Sequence, residues 1–143
     1  MSTEENRALV QRFYAEIWNK GNLDAVADLL AGDFVDHAAP PGFPSGQEGA
    51  KQVFMIYRTA FPDFRLSVED IIAEGDKVVA RWRTHGTHQG ELMGIPPTGK
   101  QVTVTGIDLF RVAGDKIAEH WAEFDMLGLM QQLGVIPAPG QAG

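Results

Sequence analysis

A chain of 143 residues suits one domain, and 44% hydrophobic with 22% charged residues argues against the chain as a whole being a disordered tail or a coiled coil. The net charge of −7, with its few basic residues scattered, argues against both nucleic-acid and acidic-membrane partners. Zero cysteines remove disulfides, thiolate nucleophiles and cysteine-bound zinc. With no apolar run of about 20 residues and a polar, acidic start, the expected address is the cytoplasm.

Ser2 and Glu5 have capping-box spacing ahead of Leu9, Val10, Phe13, Ile17 and Trp18 at helical intervals. A first helix is therefore predicted over residues 3–20, stopped at Gly21. Leu23, Val26, Ala27, Leu29 and Leu30 predict a shorter second helix, ended near Gly32. Phe34 to His37 reads as a short extended segment entering a proline- and glycine-rich loop over 38–46. A second capping box, Ser45 with Glu48, opens a third helix through Val53, Phe54, Ile56, Tyr57 and Ala60, stopped by Pro62.

Beyond Pro62 the period changes to two. Phe64, Leu66, Val68 and Asp70 alternate with polar residues, a turn follows at 74–77, and Val78, Ala80, Trp82 and Thr84 continue on a partner strand. Arg81 and Arg83 flank Trp82 and project from one face. A shaped loop covers 90–100, a strand runs from Val102 to Phe110, a turn follows at 113–116, and a return strand spans 117–125. A closing helix is predicted over 126–133 and a loose tail over 138–143, leaving one domain over 1–137. Helices segregated beside an antiparallel sheet define an α+β domain, whose twisted sheet can curl around a cavity.

There is no Gly-x-Ser-x-Gly elbow, P-loop or dinucleotide fingerprint, so acid–base chemistry by Asp, Glu, His and Tyr is what the inventory supports. Asp125 stands first. It shares strand parity with Ile117 and Trp121, where an apolar wall raises a carboxylate toward the working range of a general acid or base. Standing before Met126 and Leu127, it reads equally as a helix N-cap, and the two roles conflict because capping lowers the pKa. Asp108, between Ile107 and Leu109, needs a cavity or a partner; His120 across the turn is one, and a hydrogen-bonded structural pair is the plainer alternative. His37 and His88 lie at strand ends entering loops, where sites gather, and each also reads as an ordinary loop histidine. Tyr14 and Trp18 share a helical face and line either a pocket or the core. His85-x-x-His88 is the one close histidine pair and lies in an irregular segment, so no metal site is predicted.

The segments Val10–Tyr14, Asp33–His37, Ala60–Asp63, Thr87–Gly90, Gly94–Lys100, Glu119–Trp121 and Leu127–Gly134 together resemble the SnoaL-like polyketide cyclases, or ester cyclases, of the nuclear-transport-factor-2-like superfamily. The resemblance spans residues 6–137, and Gly-Ile-Pro-Pro-Thr-Gly-Lys is its most specific piece. It implies a cone-shaped α+β barrel, with a curved antiparallel sheet packed around the N-terminal helices and enclosing an apolar pocket. It also implies intramolecular aldol condensation of a polyketide ester without metal or cofactor, and a homo-oligomer, dimer or tetramer, joined through the sheet. By the same resemblance Asp125 matches the acid–base aspartate, and Tyr14, Trp18, His37, His88, Asp108, His120 and Trp121 are candidates to bind the apolar substrate. The superfamily also holds isomerases, hydrolases and non-catalytic binding domains, which remain the alternatives.

Overall fold

The computed structural model describes residues 2–137; the expected tail over 138–143 lies outside them. Helix α1 spans Thr3–Phe13, and its start follows from the capping box: the Glu5 amide donates to Ser2 Oγ at 3.1 Å and the Ser2 amide to Glu5 Oε1 at 3.1 Å. The helix does not continue uniformly to residue 20. Tyr14–Asn19 widens into a π-helix, a form frequent at functional sites, and Tyr14 and Ile17 are buried there.

A 3₁₀ turn at Leu23–Ala25 leads into α2, Val26–Leu29. Strand β1, Leu30–Asp36, begins before the expected helix end at Gly32. Helix α3, Gly46–Ala60, has Ser45 at its N-cap without a side-chain hydrogen bond, so the second capping box does not form. The strands β2 (Arg65–Glu74), β3 (Lys77–Thr87), β4 (Gln101–Ala113) and β5 (Lys116–Phe124) form two hairpins, followed by α4, Met126–Leu133. Gly75 and Gly114 turn those hairpins at φ of 59° and 63°, where only glycine sits without strain.

The sheet order is β1-β5-β4-β3-β2. Its two edges, β1 and β2, do not pair, so the curved sheet is not closed into a barrel. The long strands are antiparallel as expected, whereas β1 joins β5 in parallel, with Asp36 opposite His120.

Alternation directs Val78, Ala80, Trp82 and Thr84 of β3 inward, against the helices. Their partners on β4 follow the same face: Phe110, Asp108, Gly106 and Val104. Phe13, Tyr14, Phe54 and Phe110 fill the core in tilted and edge-to-face contacts, with ring centroids 5.4–5.9 Å apart. Two bulges then decide which side chains reach the interior. The first, at Glu69, turns Asp70 outward to Arg81 (2.8 Å from the guanidinium Nε). The second sets Val112 opposite Ile117 and Arg111 opposite Glu119, so that Ala118 is the extra residue.

Candidate active site

That second bulge reverses strand parity along β5. Ile117 faces inward before it; beyond it His120, Ala122 and Phe124 face inward, opposite Phe110, Asp108 and Gly106. Trp121, expected on the inner wall with Ile117, pairs with Leu109 on the outer face and stacks on His37 at 4.6 Å and 6°. His37 is held there by Glu119 at 3.0 Å, and Glu119 also accepts from Arg111 at 2.9 Å. The hydrogen bond from His37, together with the hydrogen bond and charge of Arg111, holds the Glu119 carboxyl below its ordinary range against the opposing effect of burial. Neither His37 nor Trp121 lines the interior cavity.

Asp125 also sits elsewhere. It is the N-cap of α4, exposed, accepting the Gly128 amide at 2.8 Å, and is absent from the cavity wall. The capping alternative is the one the geometry shows, so the catalytic reading of Asp125 has no support from its position. His88 is fully buried; its Nδ1 accepts the Thr98 amide at 3.2 Å and pins the loop over 90–100 rather than facing the cavity. His85 turns to Thr103 at 3.1 Å, so the two histidines of His85-x-x-His88 go separate ways.

The fold does join Asp108 and His120. His120 Nε2 lies 3.0 Å from Asp108 Oδ1, and His120 Nδ1 lies 2.9 Å from Asp36 Oδ1. A neutral imidazole carries one N–H and one lone pair, so it satisfies only one of two carboxylates; the imidazolium satisfies both. Burial disfavours the charged ring, but the hydrogen bonds and charges of Asp108 and Asp36 outweigh it and push His120 up to about 9. Burial raises Asp36, but the hydrogen bond and charge of His120, the Ala38 amide and His37 together outweigh it, leaving its pKa below the ordinary value.

Tyr14 is buried behind this group and donates its hydroxyl to Asp108 Oδ2 at 2.5 Å. Burial first, then the charge of Asp108, raises the Tyr14 pKa and keeps it a donor. Phe110 stacks beneath the His120 ring at 5.0 Å. Asp36 was not among the residues singled out from sequence, although its strand neighbour His37 was. The available signal was parity: Asp36 shares a face with buried Phe34, and His37 with exposed Val35.

Asp36, Asp108 and His120 open onto a cavity of about 130 Å³ walled by aromatic rings, among them Trp18, Phe54, Tyr57, Phe64, Trp82 and Phe124. Trp18, expected to line either a pocket or the core, does both, packing on Phe54 at 4.9 Å. Gly106 makes room for the Trp82 ring, because a Cβ at that position would collide with it. Arg81 and Arg83 point outward to Asp70 and Glu69, and among the described residues no Lys or Arg lines the cavity.

The sequence profile of the SnoaL-like polyketide cyclases matches residues 8–133. The chain belongs to that family. It is 32% identical over 138 residues to the aklanonic acid methyl ester cyclase DnrD of Streptomyces peucetius, covering 94% of this chain and 92% of that one. It is 30% identical over 121 residues to the nogalonic acid methyl ester cyclase of Streptomyces nogalater, covering 82% and 89%. Among solved structures, TsrD from Streptomyces laurentii superposes with a TM-score of 0.87 at 30% identity, covering 95% of this chain and 99% of that one. The family assignment agrees with a curved sheet packed on N-terminal helices around an apolar cavity.

Proposed function

We propose that this protein closes a ring on an aromatic polyketide ester by intramolecular aldol condensation, using the Asp36–His120–Asp108 cluster as its acid–base machinery. The observation that carries this reading is a buried imidazole held between two carboxylates in the wall of an aromatic-lined cavity. Flat, carbonyl-rich rings suit such walls. The cluster holds one more carboxylate than cation and, among the described residues, no Lys or Arg lines its cavity, so an esterified substrate suits the site better than a free acid.

A carboxylate takes a proton from a carbon flanked by carbonyls, and the resulting enolate spreads its charge over the conjugated substrate. The enolate carbon attacks a carbonyl that the cavity holds close, so orientation supplies much of the acceleration. The new alkoxide takes a proton from the imidazolium, and the protonated carboxylate returns one to the ring. The product is an isomer of the substrate, and these side chains supply every proton moved.

The test is incubation with aklanonic acid methyl ester and nogalonic acid methyl ester, followed by chromatography and mass spectrometry. The expected result is a cyclised product of unchanged mass, with turnover falling about 10²–10⁴-fold in His120→Gln. Equal turnover by that variant, or no cyclisation of either ester, would refute the reading.

The partner we propose besides the substrate is a second copy of the chain. Ile72, Val79, Leu109 and Trp121 form a continuous cross-strand row on the outer face of the sheet, and Ile72 is 66% exposed. Such a contiguous apolar row on an open sheet face suits a self-complementary interface. Sedimentation should show an oligomer that Ile72→Asp dissociates; a wild-type monomer at working concentration would exclude it. Among the described residues no helix is long and apolar enough to cross a membrane, and a cytoplasmic address fits the proposed chemistry.

A further inference from the structure

We propose that Asp36 Oδ2 is the atom that takes the proton from carbon, and that the His120 imidazolium is the acid for the alkoxide. This division of labour rests on the ring-closure reading above. The cluster offers four carboxylate oxygens. Asp108 uses both of its own, Oδ1 toward His120 and Oδ2 toward the Tyr14 hydroxyl, and is 6% exposed. Asp36 Oδ1 accepts both His120 Nδ1–H and the Ala38 amide, each at 2.9 Å.

Among the described residues, Asp36 Oδ2 accepts no hydrogen bond. The unpartnered polar atoms that are sealed from water are Asn6 Oδ1, Trp82 Nε1 and His88 Nε2. Asp36 Oδ2 is not one of them, and its residue lines the cavity, so its free lone pairs are accessible. The doubly protonated imidazole has no lone pair to take a proton. Asp108 and Tyr14 are therefore positioning residues, holding the ring from behind while Asp36 meets the substrate.

The groups facing Asp36 are His120 from β5, with Asp108 beyond it, Tyr57 from α3 and its chain neighbour His37. In the step itself the C–H bond breaks and an O–H bond forms on Asp36 Oδ2. The enolate electron pair makes the new C–C bond, and the attacked carbonyl becomes an alkoxide. Once protonated, Asp36 no longer holds Nδ1–H by charge, so that proton is released to the alkoxide only after the base has acted. Asp36 then returns its proton to the ring.

Deuterium exchange on methyl 2-naphthoylacetate, a β-keto ester with no carbonyl placed for ring closure, isolates the first step. Wild type in D₂O is expected to accelerate exchange at the carbon between the carbonyls, followed by proton NMR. Asp36→Asn should lower the enzymic rate about 10²–10⁴-fold, and Asp36→Glu should restore part of it. Asp125→Asn is the matched control, because it also removes one carboxylate but from an exposed helix cap outside the cavity; its exchange should equal that of wild type. Wild-type exchange in Asp36→Asn, or equal loss in both asparagine variants, would overturn this assignment alone. No acceleration by wild type would overturn the acid–base reading and the assignment with it.

Discussion

Replacing His120 with glutamine removes the cation between Asp36 and Asp108, and the wild-type protein's own pH behaviour measures what that cation contributes. The imidazole's ordinary pKa of 6.5 rises to about 9 in the fold. At about 1.4 kcal/mol per pH unit, that preference for the proton in the folded state is worth about 3 kcal/mol. A raised pKa gives stability that is complete below 6.5 and is lost as pH climbs through about 9. The lowered pKa of Asp36 acts oppositely: its contribution is present above 3.8 and disappears as pH falls through the folded value. Urea unfolding of wild type and His120→Gln from pH 6 to pH 10 should therefore converge by about 3 kcal/mol as the wild type loses its cation. At the acidic end the variant should be less stable by about 3–5 kcal/mol, because two buried carboxylates are left facing each other. Nitrogen-detected NMR of the imidazole supplies the independent check. Parallel stability curves, or a ring titrating at or below its ordinary value, would refute the reasoning.

Tyr14→Phe should cost about 1–3 kcal/mol in thermal unfolding, since it strands a buried carboxylate oxygen of Asp108. It should also raise the His120 titration further, because Asp108 then shares its charge with one donor fewer. Asp125→Ala should lose about 1 kcal/mol of stability through the missing cap on α4, with turnover unchanged; a large loss of turnover at full folding would return Asp125 to the mechanism. Gly106→Ala should push the Trp82 ring into the cavity, costing about 1–3 kcal/mol in urea unfolding and weakening capture of methyl 2-naphthoylacetate.

Local signals carried much of this protein on their own. The Ser2–Glu5 box starts α1 because it satisfies backbone donors within four residues, and the Gly75 and Gly114 turns join their hairpins by short-range geometry. Strand alternation likewise put Arg81 and Arg83 on one face and Trp82 on the other, though packing alone decided which face is inner, and the paired carboxylate at Asp108 was legible as an acid in an apolar strand. The distribution of the site was settled elsewhere. One inserted residue at Ala118 exchanges the faces of β5, sending Trp121 to the surface and His120 to the interior, and alternation read from residue 117 carries no mark of it. Asp36 reaches His120 because β1 adds to the sheet edge in parallel, a pairing between residues 84 positions apart. The π-helical turn brings Tyr14 to Asp108 across 94 positions. Period and capping act within a few residues, so they are readable along the chain. A register shift and a shared proton depend on which distant strands meet, and tertiary packing alone decides that.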